Sequence, residues 1–208
     1  MKEDNNDNNT NNSRQTTAER MAMAFFRTLS RLPLGMLYAL SSVGFVLLYY
    51  IVRYRRHVVH ANVSSAFPEK DEQWQRRTER GFYRWFCDYL MEAVKLLTIS
   101  GAELRRRFTI EGAEQVEQCF AEGQDVGAIL GHYCNWEWLS CIGIALPEGR
   151  KCGLVYHPLR SAVFDRLFRE IRSSQPSGLV VPKKDILRSL VTLRRDGCLL
   201  YTSPSPRD

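Results

Sequence analysis

Residues 125–138 read "DVGAILGHYCNWEW": a short apolar run, a glycine, then a cluster of polar and aromatic residues. An apolar run of this length bounded by turn signals reads as a buried strand, here ending at Gly131. His132 then falls in a loop, Asn135 is a good N-cap, and a helix is expected to begin at Trp136. Glu137 belongs to its first turn, where the helix dipole favours a carboxylate.

The same alternation continues downstream. "CGLVYHP" reads as a second strand, and residues 162–173 as a helix burying Phe164, Leu167, Phe168 and Ile171. "SGLVVP" gives a third strand, followed by a helix over residues 185–195. Upstream, Phe82, Phe86, Tyr89, Leu90, Ala93 and Leu97 recur at helical spacing after the polar turn "FPEKDE", with Gly101 as a stop signal. "RRRFTIEG" reads as a short strand with a basic lead-in, and residues 113–122 as a helix ended by Gly123. Strands alternating with helices predict the α/β class: a partial, mostly parallel sheet with flanking helices. No internal repeat is visible.

Residues 32–52, "LPLGMLYALSSVGFVLLYYIV", carry no charge and are bracketed by Arg31 and Arg53. As one helix they would extend roughly 31 Å, enough for a hydrocarbon core of about 30 Å. Tyr49 and Tyr50 stand where an interfacial aromatic belt is expected. The segment is therefore expected to be a transmembrane or membrane-embedded helix, and a buried core helix is the alternative. Arginines on both sides leave the positive-inside rule nearly balanced. Six scattered cysteines with no C-x2-C pair read as reduced thiols, which favours a cytoplasmic body.

The net charge of +6 is uneven: residues 1–19 carry −2 and the remainder +8. A basic body suggests a polyanionic partner, such as nucleic acid, an anionic membrane, an acidic carrier protein or a phosphorylated lipid. The Asn-rich tail over residues 1–19 has no apolar residue between Met1 and Ala18 and is expected to be disordered. It also lacks the features of a signal peptide. At the other end "CLLYTSPSPRD", residues 198–208, resembles the in-frame translation of a transposase-type sequencing adapter. Native sequence is expected to stop near Gly197, so no function is assigned to residues 198–208. The expected organisation is a tail over 1–19, a membrane-anchor region over 20–56, a domain incomplete at its end over 57–197, and the adapter-like string.

His132 and Glu137 lie five positions apart, about 500° of rotation on a regular helix, so they meet only where the chain turns between them. The strand end at Gly131 and the cap at Asn135 supply that turn, outside the carboxyl end of a strand where open α/β sheets bind ligands. A histidine backed by a carboxylate is a general base. No G-x-S-x-G frame is present, so the nucleophile is expected on the substrate. On spacing alone a structural polar pair, a Cys134 nucleophile, and a zinc site from His132, Cys134, Glu137 and Cys141 stay open; the last matches no standard ligand set. No metal or cofactor is expected.

"GHYCNWEW" after an apolar strand, "VYHPL" some twenty residues on, and "RRHVVHANVSSAFPEK" upstream resemble the bacterial lipid A biosynthesis acyltransferases, the lauroyl/myristoyl secondary acyltransferase family. The likeness runs from about Leu32 to Gly197. It implies a glycerolipid-acyltransferase-like fold, and it maps the family's H-x4-D/E motif onto His132 and Glu137. It further implies transfer of an acyl group from acyl carrier protein to a hydroxyl of a lipid A precursor, at the cytoplasmic face of the bacterial inner membrane. His132 would deprotonate the hydroxyl and Glu137 would orient His132. Asn135, Trp136, Tyr156, His157, Arg166, Arg169 and Arg172 become substrate-binding candidates, with Arg105–Arg107 and Lys183–Lys184 weaker; solvated surface charge is the competing reading for each cation. Two departures stand out. Many members carry arginine where this chain has His157, and the family continues beyond this chain with a further strand and an aspartate near the site. The partners expected are acyl carrier protein, a phosphorylated glycolipid and the membrane, and not nucleic acid. The competing functions are acyl transfer to another lipid, and a non-catalytic membrane-anchored basic binding module.

Overall fold

Thr16 opens the first element. Its hydroxyl accepts from the Glu19 amide while the Glu19 carboxylate accepts from the Thr16 amide, both at 3.2 Å. This reciprocal capping box starts α1, Thr17–Ser30. The polar tail expected over residues 1–19 is therefore helical from Thr17. The computed structural model describes residues 16–131, 133–145, 151–174, 178–193 and 198–202. The last carbonyls of α1 are satisfied from elsewhere in the chain: Thr98 donates to the Ser30 carbonyl at 2.7 Å, and the Lys95 ammonium to Ser30 and Leu32 at 3.3 and 3.1 Å. Lys95 is buried, and its charge rests at the negative end of a helix.

The uncharged segment breaks at Pro33, which caps α2, Leu34–Val46; a π-helical turn, Leu47–Ile51, extends it. The expected single helix over 32–52 is thus shorter at its start, because proline here ends one helix run and begins another. Leu34–Ile51 is 18 residues long with mean hydropathy 1.8, long and apolar enough to cross a membrane by composition, and only 22% of it is buried. Its inner face lies antiparallel on α4, Glu72–Lys95. Tyr38 donates to Glu92 at 2.9 Å, Ser41 to Asp88, and Arg84 donates to Ser42 at 2.9 Å. The outer face leaves Met36, Leu40, Val43 and Leu47 exposed.

Two left-handed residues, Arg53 (φ 52°) and Arg55 (φ 51°), lead into α3, Arg56–Ala66, for which the sequence reading placed no element. α4 exists as expected, but its buried set is Tyr83, Cys87, Tyr89, Ala93 and Val94, with Phe82 exposed. The rotation follows from its neighbours: α2 and α3 cover one side and Trp136 meets Tyr89 on another. Gly101 does not stop this helix. It opens α5, Gly101–Arg107, capped by Ser100, whose hydroxyl accepts from the Glu103 amide at 3.2 Å. The strand expected at "RRRFTIEG" is accordingly absent there; its arginines form the last turn of α5, where cations suit the dipole. α6, Ala113–Ala121, ends before Gly123 at φ 74°, a left-handed position open to glycine.

The sheet has four strands: β1 Val126–Ile129, β2 Lys151–Tyr156, β3 Gly178–Pro182 and β4 Cys198–Thr202, in the order β1-β4-β2-β3, with every neighbouring pair parallel. α7, Ala162–Ser173, links β2 to β3, and α8, Ile186–Leu193, follows β3. The α/β class holds in a mostly helical chain with a small parallel sheet. β1 is an edge strand and Ile129 is 77% exposed, so the fully buried strand expected from its apolar run is half covered. The adapter-like residues form β4, bonded to β1 on one side and β2 on the other, so the bridging position in the sheet is filled. One core joins α1, the end of α4, α5 and α7 through Met23, Leu96, Leu104, Leu167 and Ile171; a second packs Phe120 on Cys152 and Leu154.

Candidate functional site

Because all four strands run the same way, their carboxyl ends share one edge, and the chain leaving β1 enters the "GHYCNWEW" motif there. The expected turn is present but made differently. The Tyr133 amide donates to the Gly131 carbonyl at 3.0 Å, and Cys134 takes a left-handed φ of 49°. A 3₁₀ segment, Trp136–Ala145, follows in place of the expected α-helix. Asn135 offers it a backbone carbonyl, accepting from the Trp138 amide at 3.2 Å, but not its side chain. That side chain instead donates to Glu92 of α4 at 2.6 Å. His132 lies outside the described residues.

Glu137 is 3% exposed. A carboxylate so deeply placed requires a partner, and Arg172, in the last turn of α7, supplies a two-pronged one. Arg172 Nη2 donates to Oε1 at 2.7 Å and Nε to Oε2 at 3.1 Å. The guanidinium also lies 5.6 Å from the centre of the Phe168 ring. Glu137 is thereby fixed in position between the motif and the end of α7. Tyr89 senses the pair: burial pushes its hydroxyl pKa well up, the Glu137 charge adds to the rise, and Arg172 opposes it. Burial likewise pushes the Cys141 thiol up to about 11, keeping it protonated, with Ser140 in weak opposition. Among the described residues no group of three or more histidine, cysteine or acidic side chains is placed to hold a metal.

A cavity of about 460 Å³ opens beside the motif. Tyr133, Asn135, Trp136 and Trp138 line one side, Glu92, Arg107 and Phe108 another, and Leu34 and Tyr38 at the start of α2 a third. Its size is that of a small-molecule or acyl-chain site. Two lining residues carry buried polar atoms with no hydrogen-bond partner among the described residues, Asn135 Oδ1 and Trp138 Nε1. Buried polar atoms are rarely left unsatisfied, so these two atoms mark the polar part of the cavity wall.

The remaining predicted residues separate by role. Trp136 packs on Tyr89, ring centres 5.0 Å apart. Tyr156, at the end of β2, is buried, with the Arg169 guanidinium 6.0 Å from its ring centre. His157 is exposed, its Nδ1 3.0 Å from the Pro158 carbonyl oxygen. The three arginines of α7 do not form one row: Arg172 binds Glu137, Arg169 is exposed beside Tyr156, and Arg166 buries Nη1 without a hydrogen-bond partner among the described residues. Sequence reading missed Tyr38, Tyr89 and Glu92 as site residues, which lie 45–99 positions before Glu137, and held Arg107, now in the cavity wall, only as a weaker candidate. No local pattern marks them; only the packing of α2, α4 and α5 brings them here.

Residues 10–205 match the family model described as bacterial lipid A biosynthesis acyltransferase, and the chain belongs to that family. The match reaches past Gly197, the end of the resemblance read from the sequence, and begins before Leu32. No curated protein matches the chain.

Proposed function

We propose that the chain, as a member of the lipid A biosynthesis acyltransferase family, moves a fatty acyl group from the thioester of acyl carrier protein to a hydroxyl of a phosphorylated glycolipid, a lipid A precursor. The work is done at the cytoplasmic face of the bacterial inner membrane. One observation carries the reading. The motif carboxylate, Glu137, is buried and locked by Arg172, and its motif neighbours line a cavity that reaches the start of the apolar helix.

In this reading His132 takes the proton from the acceptor hydroxyl as that oxygen attacks the thioester carbonyl. The new C–O ester bond forms, the C–S bond breaks, and the carrier thiolate leaves with the proton that His132 returns. Arg172 uses one lone pair on each Glu137 oxygen, and each oxygen keeps a second for the imidazole N–H. Arg172 is then a positioning residue for the base, not a phosphate ligand. Asn135 and Trp136 hold the motif wall of the cavity, and Tyr156, His157, Arg166 and Arg169 are assigned to the acceptor's polar head, supported by Arg169 beside Tyr156 at the end of β2.

The test is acyl transfer from labelled acyl carrier protein to a lipid A precursor, read by product mass. It is run on this chain. His132→Ala is expected to lower the rate about a hundredfold or more, the usual contribution of a general base. An unchanged rate in that variant would sink the mechanism, while a product formed only on another lipid would retain the chemistry and replace the acceptor.

A further inference from the structure

At the far end of α4 from the candidate site lies a recess of about 380 Å³ whose rim is Arg56, Arg76, Arg77 and Arg80, with Tyr49 and Tyr50 beneath. Two of these cations are already engaged. Arg56 donates to the buried Glu79 at 2.8 Å and lies over the Tyr49 ring at 4.1 Å, and Arg76 pairs with Glu72 on the surface at 2.6 Å. Arg77 and Arg80 make no hydrogen bond or ion pair among the described residues. The recess therefore presents two uncompensated guanidinium groups, each a planar fork suited to phosphate oxygens.

Its setting identifies the kind of anion. On the outer face of α2, Met36, Leu40, Val43 and Leu47 form an exposed apolar row at helical spacing, and Tyr50, Ile51, Val52 and Tyr54 continue it to the edge of the recess. Ile51 and Val52 are 67% and 64% exposed. From Met36 to Tyr50 the row runs about 21 Å, longer than the roughly 15 Å of one leaflet's hydrocarbon. An apolar stripe that ends on unpaired arginines matches a molecule with an acyl chain and an anionic head, in that order. An acidic protein surface would satisfy the arginines but not the stripe. The recess is also separate from the candidate site: Arg80 and Glu92 are twelve positions apart on one helix, about 18 Å.

We propose that this recess is a binding site for the phosphate head of an anionic phospholipid, held by Arg77 and Arg80 while the lipid's acyl chain lies along the exposed face of α2. It fixes how deep the apolar helix sits, and so holds the cavity mouth at Leu34 and Tyr38 at a constant height relative to the membrane. The inference does not depend on the acyl-transfer reading, because its test reads binding and not turnover.

The experiment is flotation of the full chain with vesicles of neutral phosphatidylcholine and with vesicles containing about one-third phosphatidylglycerol. Each basic residue near an anionic surface contributes about fivefold to binding, so Arg77→Gln/Arg80→Gln is expected to weaken partition to the anionic vesicles about 25-fold. It should leave partition to neutral vesicles unchanged. Arg105→Gln/Arg106→Gln removes the same charge from α5 and is expected to weaken anionic binding much less. Circular dichroism checks that both variants fold, and a soluble glycerophosphoglycerol competitor separates a headgroup from a full lipid, which alone should bind tightly. Equal losses in the two double variants would overturn the proposal. So would unchanged vesicle binding together with lost binding to acyl carrier protein, which would assign the recess to an acidic protein.

Discussion

Replacing Arg172 by methionine removes the ion-pair partner that, among the described residues, compensates a carboxylate only 3% exposed, while keeping most of the side-chain volume. Breaking a buried pair from one side costs about 3–5 kcal/mol, because the remaining charge is left without compensation. Arg172 is itself 23% exposed at its side chain, so some water reaches the pair and the expected cost is near the lower figure, about 3 kcal/mol. Urea unfolding measures it as a fall in the midpoint with an unchanged slope. Glu137→Gln should cost less, since the amide still accepts one hydrogen bond from Arg172 and no anion is stranded. The decisive quantity is the double variant, Glu137→Gln/Arg172→Met. It is expected to be more stable than the sum of the two single losses predicts, by 1 kcal/mol or more, as neighbours in one network behave. Arg172→Lys keeps the charge but loses the fork and should fall between wild type and Arg172→Met. A loss under about 1 kcal/mol for Arg172→Met, or strict additivity in the double variant, would refute a locked Glu137 and remove the basis for Arg172 as a positioning residue.

Three further outcomes follow from burial and from the sheet. Cys134 is exposed and Cys141 is buried with its thiol pKa raised to about 11, so iodoacetamide at pH 8 should label Cys134 and spare Cys141 in the folded chain; the reverse order would contradict the packing of the 3₁₀ segment. Raised acid pKa values have a definite sign: the folded state keeps Cys141 and Tyr89 protonated where the unfolded chain ionises. Their stabilisation is complete below about pH 8.5, the unfolded thiol value, and unfolding midpoints should fall as pH rises from there through 11. Deleting residues 198–208 removes β4, the strand bonded to both β1 and β2. Amide exchange at Val126–Ile129 should then lose protection while the α2–α4 pair keeps it, and an unrelated β-prone segment at 198–202 should restore it, because the ladder uses main-chain groups. Unchanged protection after deletion would show that β1 is held without β4.

Short-range signals carried much of this structure. The apolar runs at 126–129, 151–156 and 178–182, each bounded by turn residues, marked the three strands, and the 3.6-residue period marked α4 and α7 with correct ends for α7. The "GHYCNWEW" motif and its neighbours pointed to the family that the chain belongs to. The capping box at Thr16–Glu19 and the Ser100 N-cap lie in plain sight in the sequence, yet composition and a glycine led those stretches to be read as tail and stop. Helix capping acts over three residues, and composition averaged over a window hides it.

What the sequence by itself determined was the type of most elements from α4 onward and the identity of the motif, because these depend on neighbours within a turn or a strand; the absent strand at 105–112 and the 3₁₀ turn at Trp136 show where tertiary context overrode it. The tertiary structure decided which groups meet. Glu137 finds Arg172 35 positions away, Asn135 finds Glu92 43 positions away, and three arginines spaced regularly on α7 take up three unrelated environments. The same holds for the recess: Arg77 and Arg80 read as ordinary surface charge until α2 and α3 fold back on α4 and leave them at the end of an apolar stripe. The physical reason is common to all of these. Burying a charge is tolerable only beside its complement, and where that complement lies is settled by how helices pack, not by the spacing of residues along the chain.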